Sequence, residues 1–119
     1  METKFTVVLD QFANSIENSD FDAKSKRTKY SELKYLLEGL DSKNSKPQLI
    51  GGLNSGWYLI DPETLEAVDV DSYVDHYADE HGLLIVDYFD FYDQFEADPQ
   101  KYWQEAQKLS LVQALVDLV

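Results

Sequence analysis

The stretch from Asp61 to Asp98 constrains the fold more than any other part of this 119-residue chain. It reads DPETLEAVDVDSYVDHYADEHGLLIVDYFDFYDQFEAD, so carboxylates alternate with tyrosine, phenylalanine and aliphatic residues. Carboxylates stay in water unless they are paired, whereas aromatic and aliphatic side chains build the core of a domain. Each element in this stretch must therefore bury one side and leave the opposite side acidic and solvated. The same elements are therefore predicted to supply both the core of the domain and its charged surface.

The net negative charge comes from the second half of the sequence. Residues 1–60 hold 8 Lys/Arg and 8 Asp/Glu, whereas residues 61–119 hold 2 Lys/Arg and 15 Asp/Glu, which accounts for the formal net charge of −13. Such segregation gives a one-sided negative potential that repels nucleic acid and anionic membranes and attracts basic proteins. The alternative interpretation is that the acidity only keeps the protein soluble.

The length and the composition favour one domain over residues 1–119, with a charge-neutral helical part (1–46) and a part with a β-meander and acidic helices (47–119). A hydrophobic content of 44% is enough for a core that needs no disulfides, and the chain has no cysteine for a disulfide or a thiolate metal site. No run approaches the roughly 18 apolar residues of a membrane span, and METKFTVVLD lacks the features of a signal peptide. We therefore expect a cytoplasmic protein.

Two amphipathic helices are predicted in residues 1–46. Residues 4–17 form the first, with these apolar side chains at helical spacing: Phe5, Val8, Leu9, Phe12 and Ile16. Asp22 is a candidate N-cap for the second, whose apolar positions are Tyr30, Leu33, Leu37 and Leu40. Gly39 suits the left-handed position that follows a helix.

The first two turns of the second helix carry a basic cluster, Lys24, Lys26, Arg27 and Lys29. Positive charge at a helix N-terminus opposes the helix dipole, so the cluster does not stabilise the helix locally. Three explanations are open: pairing with the acidic half of the chain, contact with another copy, and phosphate binding.

Residues 47–119 predict strands followed by helices. QLIGG, WYLI and LEAVDV are separated by the turns LNSG and DPET and indicate an antiparallel meander. Helical spacing returns from Asp69 to His81 and is ended by Gly82, and GLLIVDY then reads as a buried strand. We expect an α+β fold in which helices pack on a small antiparallel β-sheet of about three to four strands.

Two further helices are predicted at the end of the chain. FDFYDQFEA would turn Tyr88, Phe91, Tyr92 and Phe95 inward. Asp98 and Pro99 would begin a last helix that runs to residue 119. Its end, LSLVQALVDLV, is apolar on nearly every side and must be buried in this molecule or in a partner subunit.

The sequence lacks the motifs of the common catalytic and metal sites. A calcium loop counted from Asp69 would have Val74 at the sixth position, where its sharp turn needs glycine. His76 and His81 lie five residues apart, roughly 140° around a helix, and cannot share a metal from one face. No GK[ST] follows Gly51 and Gly52, so they do not form a phosphate loop. We predict a protein that is not an enzyme and has no metal or cofactor.

The predicted function is that of an acidic binding protein that blocks a basic, nucleic-acid-binding surface on another protein, with neither nucleic acid nor membrane as a direct partner. Asp71, Asp75 and Asp79 lie four residues apart and stack along one side of a helix, about 6 Å apart per step. Aromatic rings beside carboxylates suit an arginine-rich partner, so some of the tyrosines should be partly exposed. The predicted partner-binding residues are Asp69, Asp71, Asp75, Asp79, Glu80, Asp87, Asp90, Asp93, Glu96, Tyr73, Tyr77 and Tyr92.

In charge, size and lack of a catalytic motif, the chain resembles the DNA-mimic proteins that phages and mobile elements use as antirestriction or anti-CRISPR inhibitors. This resemblance rests on no motif and assigns no residue. One alternative is an immunity protein or antitoxin that neutralises a basic nuclease toxin. Another is a structural or oligomerising protein whose acidity serves solubility, with a homodimer formed through the C-terminal helix.

Overall fold

The computed structural model describes residues 4–41, 43–52, 56–82, 84 and 89–119, with the side chains of residues 89 and 90 outside the description. These residues form the elements α1 (Lys4–Glu17), α2 (Ala23–Gly39), β1 (Gln48–Gly51), β2 (Trp57–Ile60), β3 (Glu66–Asp69), α3 (Val70–His81), α4 (Phe89–Ala97), α5 (Pro99–Lys108), β4 (Gln113–Ala114) and α6 (Leu115–Leu118). The helices pack on one four-stranded antiparallel sheet, which confirms the α+β class. Among the described helices, none is long and apolar enough to cross a membrane.

The strands follow each other across the sheet in the order β1-β2-β3-β4, so the predicted meander is confirmed for the first three strands. Leu49 pairs with Leu59, and Leu59 pairs with Val68. Paired residues lie on the same face of a sheet and neighbours along a strand lie on opposite faces. Tyr58 is therefore on the face opposite Leu59, where it is 2% exposed, and Trp57 is half-buried on the other face.

The sheet separates two hydrophobic clusters, which gives the molecule three layers. The first cluster joins one face of the sheet to α1, α2 and α6, with Phe12, Leu33 and Leu115 among its buried members. The second joins the other face to α3, α4 and α5, through residues such as Val74, Phe95 and Trp103.

The two helical layers differ in charge. Helices α1 and α2 carry six lysine or arginine residues and four acidic residues, whereas α3, α4 and α5 carry eight acidic residues and two lysines. The charge asymmetry between the two halves of the sequence thus becomes an asymmetry between the two sides of the sheet.

Helix α2 begins as predicted and ends differently. Its N-cap is Asp22, whose carboxylate accepts a hydrogen bond of 2.7 Å from the main-chain N–H of Ser25. The left-handed conformation predicted for Gly39 is wrong, because Gly39 is helical and Leu40 leaves the helix in an extended conformation. A Cβ atom at Gly39 would lie 3.2 Å from Cγ2 of Ile50. The glycine therefore allows α2 to approach β1 closely.

Helix α3 confirms both of its predicted ends. Asp69 is its N-cap and Gly82, with φ of 63°, is its left-handed C-cap. The strand predicted from GLLIVDY falls mostly on residues 83 and 85–88, outside the described residues. At Leu84 the prediction of a buried residue is wrong, since this side chain is 88% exposed. The left-handed turn at Gly82 ends the buried face of α3, and the next described side chain lies in solvent.

The C-terminal part of the chain departs most from the prediction. The predicted helix over residues 100–119 is wrong, because α5 ends at Lys108 and Ser110 has a positive φ of 59°. β4 then pairs with β3, and Leu115 inserts into the first cluster with 1% exposure. The hydrogen bonds with the outer edge of β3 and the burial of Leu115 stabilise this arrangement more than a continuous helix would be stabilised by the helical spacing of the apolar residues. The apolar residues of this segment pack within this molecule, and a homodimer through it stays a prediction.

The basic cluster makes two contacts with main-chain oxygens. Nζ of Lys26 donates to the oxygen of Glu17 at 2.9 Å, and Nζ of Lys29 donates to the oxygen of Val119 at 3.0 Å. The Lys29 ammonium also lies 4.9 Å from the centre of the Phe21 ring. These contacts are with main-chain oxygens and not with acidic side chains, so all three explanations of the basic cluster stay predictions.

Candidate partner-binding surface

The solvent side of α3 carries three of the predicted carboxylates, on Asp75, Asp79 and Glu80. The helix buries Val70, Tyr73, Val74 and Ala78 against the sheet and α4. Because acidic and apolar residues follow different rows of the helix, burying the apolar row leaves these carboxylates exposed. Glu80 also lies near a histidine, with Oε1 3.2 Å from Nε2 of His76.

Asp69 serves the structure of α3. Its half-buried carboxylate accepts hydrogen bonds from the main-chain N–H groups of Asp71, at 3.1 Å, and Ser72, at 3.4 Å. Burial raises the pKa of this carboxyl above its usual value, and the charge of Asp71 raises it further, while the hydrogen bonds oppose the shift. Asp69 is an N-cap whose oxygen is already occupied by main-chain donors.

Asp71 is also engaged inside the protein. Its Oδ1 accepts a hydrogen bond of 2.6 Å from the hydroxyl of Tyr92 on α4. The other carboxylate oxygen lies against Gly56, where a Cβ atom would collide with it. The Tyr92 ring is 5.4 Å from the Trp57 ring. The predicted row of three carboxylates therefore begins with one that joins α3 to α4, and only Asp75 and Asp79 are exposed.

Tyr73 is a correction to the predicted surface. It is only 2% exposed, and its ring packs edge-on against Phe95 at 5.1 Å and Tyr102 at 6.0 Å. Burial raises the pKa of its hydroxyl well above the usual value, and a hydrogen bond to the Glu105 carboxylate adds to the shift. Periodicity marked Tyr73 as part of the inner stripe, and packing decides that its whole side chain is buried.

The other tyrosines match the expectation that some are partly exposed. Tyr77, Tyr92 and Tyr102 are half-buried. The Tyr77 ring lies 4.2 Å from His81 and 5.9 Å from Phe91 on α4. Tyr77 and Tyr92 join α3 to α4, Tyr102 joins α5 to both, and all three still present part of their surface to solvent.

Helix α4 adds two exposed carboxylates, on Asp93 and Glu96. Its opposite side is aromatic, and Phe95 is fully buried and stacks on Tyr102 with 4.3 Å between ring centres and 19° between planes. Asp87 lies outside the described residues, and so does the side chain of Asp90. The exposed members of the predicted set are therefore Asp75, Asp79, Glu80, Asp93 and Glu96.

The geometry offers little for metal chemistry in the described part of the chain. The segment tested as a calcium loop, from Asp69 to Glu80, is the first three turns of α3 with its cap. Within the described residues, no group of three or more histidine or acidic side chains could hold a metal ion.

An open groove of about 560 Å³ lies on the other side of the sheet. It is formed by α1, the end of α2 and the turn between β2 and β3, where Nζ of Lys4 donates to the oxygen of Pro62 at 3.0 Å. Its lining mixes two lysines, Lys4 and Lys34, with two carboxylates, Glu38 and Glu63. Sequence reasoning missed this groove because its walls come from distant segments with no shared pattern.

No protein-family model matches this chain, and comparisons with curated proteins and with solved structures found no match. The function is therefore argued from the geometry and the charge of this chain alone.

Proposed function

We propose that the outer surface of α3 and α4 binds a basic, nucleic-acid-binding surface of another protein and blocks it without catalysis. The observation that carries this proposal is the charge of one layer: helices α3 to α5 carry eight acidic residues and two lysines on a single side of the sheet. The lack of cysteine fits the cytoplasmic location that the proposal assumes.

The exposed carboxylates act together rather than singly. A single exposed ion pair contributes about 0–1 kcal/mol, so no one of these five residues would determine the affinity. A layer of one sign, however, attracts a basic partner over a distance of about 10 Å at 0.1 M salt and raises the association rate. The partner's lysines and arginines would meet carboxylates in place of phosphates.

Rigidity supports the same proposal. The two helices are joined by ring contacts, Tyr73 with Phe95 and Tyr77 with Phe91, so their carboxylates are held in place before binding. A preorganised surface loses less conformational entropy on association. The half-buried Tyr77 lies beside the acidic rows, where an arginine side chain could pack on its ring.

The test compares two variants with the same change in charge. Asp75→Asn with Asp79→Asn removes two exposed carboxylates from α3, and Asp10→Asn with Glu17→Gln removes two exposed carboxylates from α1 across the sheet. Each protein is used to retain proteins from a cell lysate at low salt. A retained DNA-binding protein is then purified, loaded with fluorescently labelled duplex DNA, and titrated with the parent and both variants while DNA release is followed by anisotropy.

We expect the parent and the α1 variant to release the DNA at similar concentrations. The α3 variant should need about tenfold more, since two lost ion pairs of about 0.7 kcal/mol each correspond to a factor of about ten in affinity. The gap should close at about 1 M salt, where the Debye length is about 3 Å. A retained basic nuclease encoded beside this protein would identify an immunity protein acting through the same surface. If the α3 variant competes as well as the parent, or if the retained proteins bind no nucleic acid, the proposal is wrong.

A further inference from the structure

Helix α4 depends on tertiary contacts for its position. It has nine residues, which is too short for a stable isolated helix in water. Rings on its inner side pack on α3, on α5 and on β2, the last through Tyr92 and Trp57. Hydrogen bonds depend on direction as well as distance, so the polar contacts of α4 add a constraint on its orientation to that of the rings.

Two tyrosine hydroxyls make such contacts, and they differ in kind. Tyr92 on α4 donates to the charged, half-buried carboxylate of Asp71 at 2.6 Å. Tyr102 on α5 donates to the neutral, exposed Oε1 of Gln94 on α4 at 3.0 Å. A short hydrogen bond to a carboxylate is roughly twice as strong as one between neutral groups, and exposure to water weakens the second further.

The surroundings of Asp71 are built to receive this carboxylate. The second carboxylate oxygen, Oδ2, occupies the space beside Gly56, which has a φ of +87°. Any residue with a Cβ atom at position 56 would collide with this oxygen. Trp57 follows Gly56 and carries the ring on which Tyr92 packs. The end of the β1–β2 connection, α3 and α4 therefore meet at one carboxylate.

We infer that Asp71 is a positioning residue rather than a partner contact: through Tyr92 it sets α4 against α3, and so sets the spacing between the exposed carboxylates of the two helices. The inference rests on the proposed function for its consequence, although the positioning itself is measurable without a partner. Asp71, predicted to contact the partner, therefore acts by positioning α4. Tyr92 supports binding through its hydrogen bond to Asp71 rather than through a charge of its own.

The role is separable from a charge contact by substitution. Asp71→Asn removes the charge and keeps an oxygen that accepts from Tyr92, whereas Asp71→Ala removes both. Tyr92→Phe removes the hydroxyl and keeps the ring on Trp57. Tyr102→Phe is the matched control, because it removes a hydroxyl that also reaches α4.

The first arm measures hydrogen exchange of the main-chain amides of α4 in the intact protein. We expect Tyr92→Phe and Asp71→Ala to raise the exchange rates in α4 about tenfold, Asp71→Asn to raise them less because a neutral acceptor remains, and Tyr102→Phe to change them by less than about threefold. Equal exchange in Tyr92→Phe and the parent would overturn the inference whether or not the protein has the proposed function.

The second arm repeats the DNA-release titration. Tyr92→Phe should compete less well than the parent although it keeps every charge. Adding Asp71→Ala to Tyr92→Phe should cause less than about twofold further loss, because both changes remove the same contact. If Asp71→Ala in the Tyr92→Phe background costs as much as Asp75→Asn in the parent, Asp71 is a contact and the inference is wrong. If the α3 and α1 double variants compete alike while α4 exchange responds as expected, the proposed function fails and the positioning of α4 by Asp71 stands.

Discussion

Substitutions of Asp69 can separate two effects on the free energy of unfolding: the stabilisation of α3 by its N-cap and the cost of burying a charged carboxylate. The carboxylate accepts from two main-chain N–H groups at the start of α3, at 3.1 and 3.4 Å. Removing an N-cap acceptor lowers the free energy of unfolding by about 1 kcal/mol. In a chain of this length that corresponds to a fall in Tm of about 4 °C. We therefore expect Asp69→Ala to melt about 4 °C below the parent.

Asp69→Asn should behave differently, because asparagine caps helices as well as aspartate and carries no charge. Burial raises the folded-state pKa of Asp69 above the ordinary value of 3.8. The folded protein therefore binds this proton more tightly than the unfolded chain, and the contribution of Asp69 to stability falls as pH rises through the folded-state pKa. We expect the Asn variant to gain stability relative to the parent as pH rises from about 3.8 through the folded-state pKa, and the difference to stay constant above it.

The assays are thermal melting at pH 7 for Asp69→Ala, and urea unfolding of the parent and both variants followed by tryptophan fluorescence in steps from pH 4 to pH 8. A low protein concentration limits precipitation near the isoelectric point of 4.3, where the net charge is low. The reasoning is refuted if Asp69→Ala is as stable as Asp69→Asn at pH 7, because the cap would then contribute nothing. A gap between Asn and parent that shrinks with rising pH would refute the assigned direction of the pKa shift.

Two further predictions concern residues near the same surface. Gly56→Ala should lower the free energy of unfolding by about 2 kcal/mol or more, because Gly56 has a positive φ and a Cβ atom there would collide with Asp71. Gly82→Ala should lower it by only about 1 kcal/mol, because Gly82 has a positive φ but no atom within 4 Å of the added Cβ. Equal losses in urea unfolding would contradict the described position of the Asp71 carboxylate. Tyr73, whose pKa is raised by burial, should ionise later than an ordinary tyrosine, so stability should fall as pH rises above 10 and the ultraviolet titration should show a late component. Tyr73→Phe should remove that component, and its persistence would assign it to another tyrosine.

Local chemistry made several features predictable from the sequence. The capping aspartates Asp22 and Asp98 are where the sequence predicts them, and α3 ends at the predicted Gly82, because a helix end depends on residues within one turn. Helical spacing identified the buried sides of α1 and α4, and turn residues separated the first three strands. The acidic character of α3 and α4 also follows directly from the sequence.

Contacts between distant segments were not predictable in the same way. Helical spacing indicates which side of a helix is apolar but not what packs on it, so it could not distinguish the buried Tyr73 from the half-buried Tyr77. The hydrogen bond between Asp71 and Tyr92 joins residues 21 positions apart, and no local sequence pattern predicts it. Gly39 was predicted to end α2 in a left-handed conformation. It is helical instead, and its missing side chain makes room for Ile50 on β1.

The sequence by itself determined that this chain has a neutral half and an acidic half, and that both fold around apolar stripes. Only the tertiary structure decided that the acidic helices share one side of a sheet, because that depends on which sheet face each helix covers. It also decided that the last residues leave the helical pattern, since β3 has an edge for β4 and the first cluster has room for Leu115. Charge is a property of each residue, whereas a charged surface requires the packing that brings residues from several helices together.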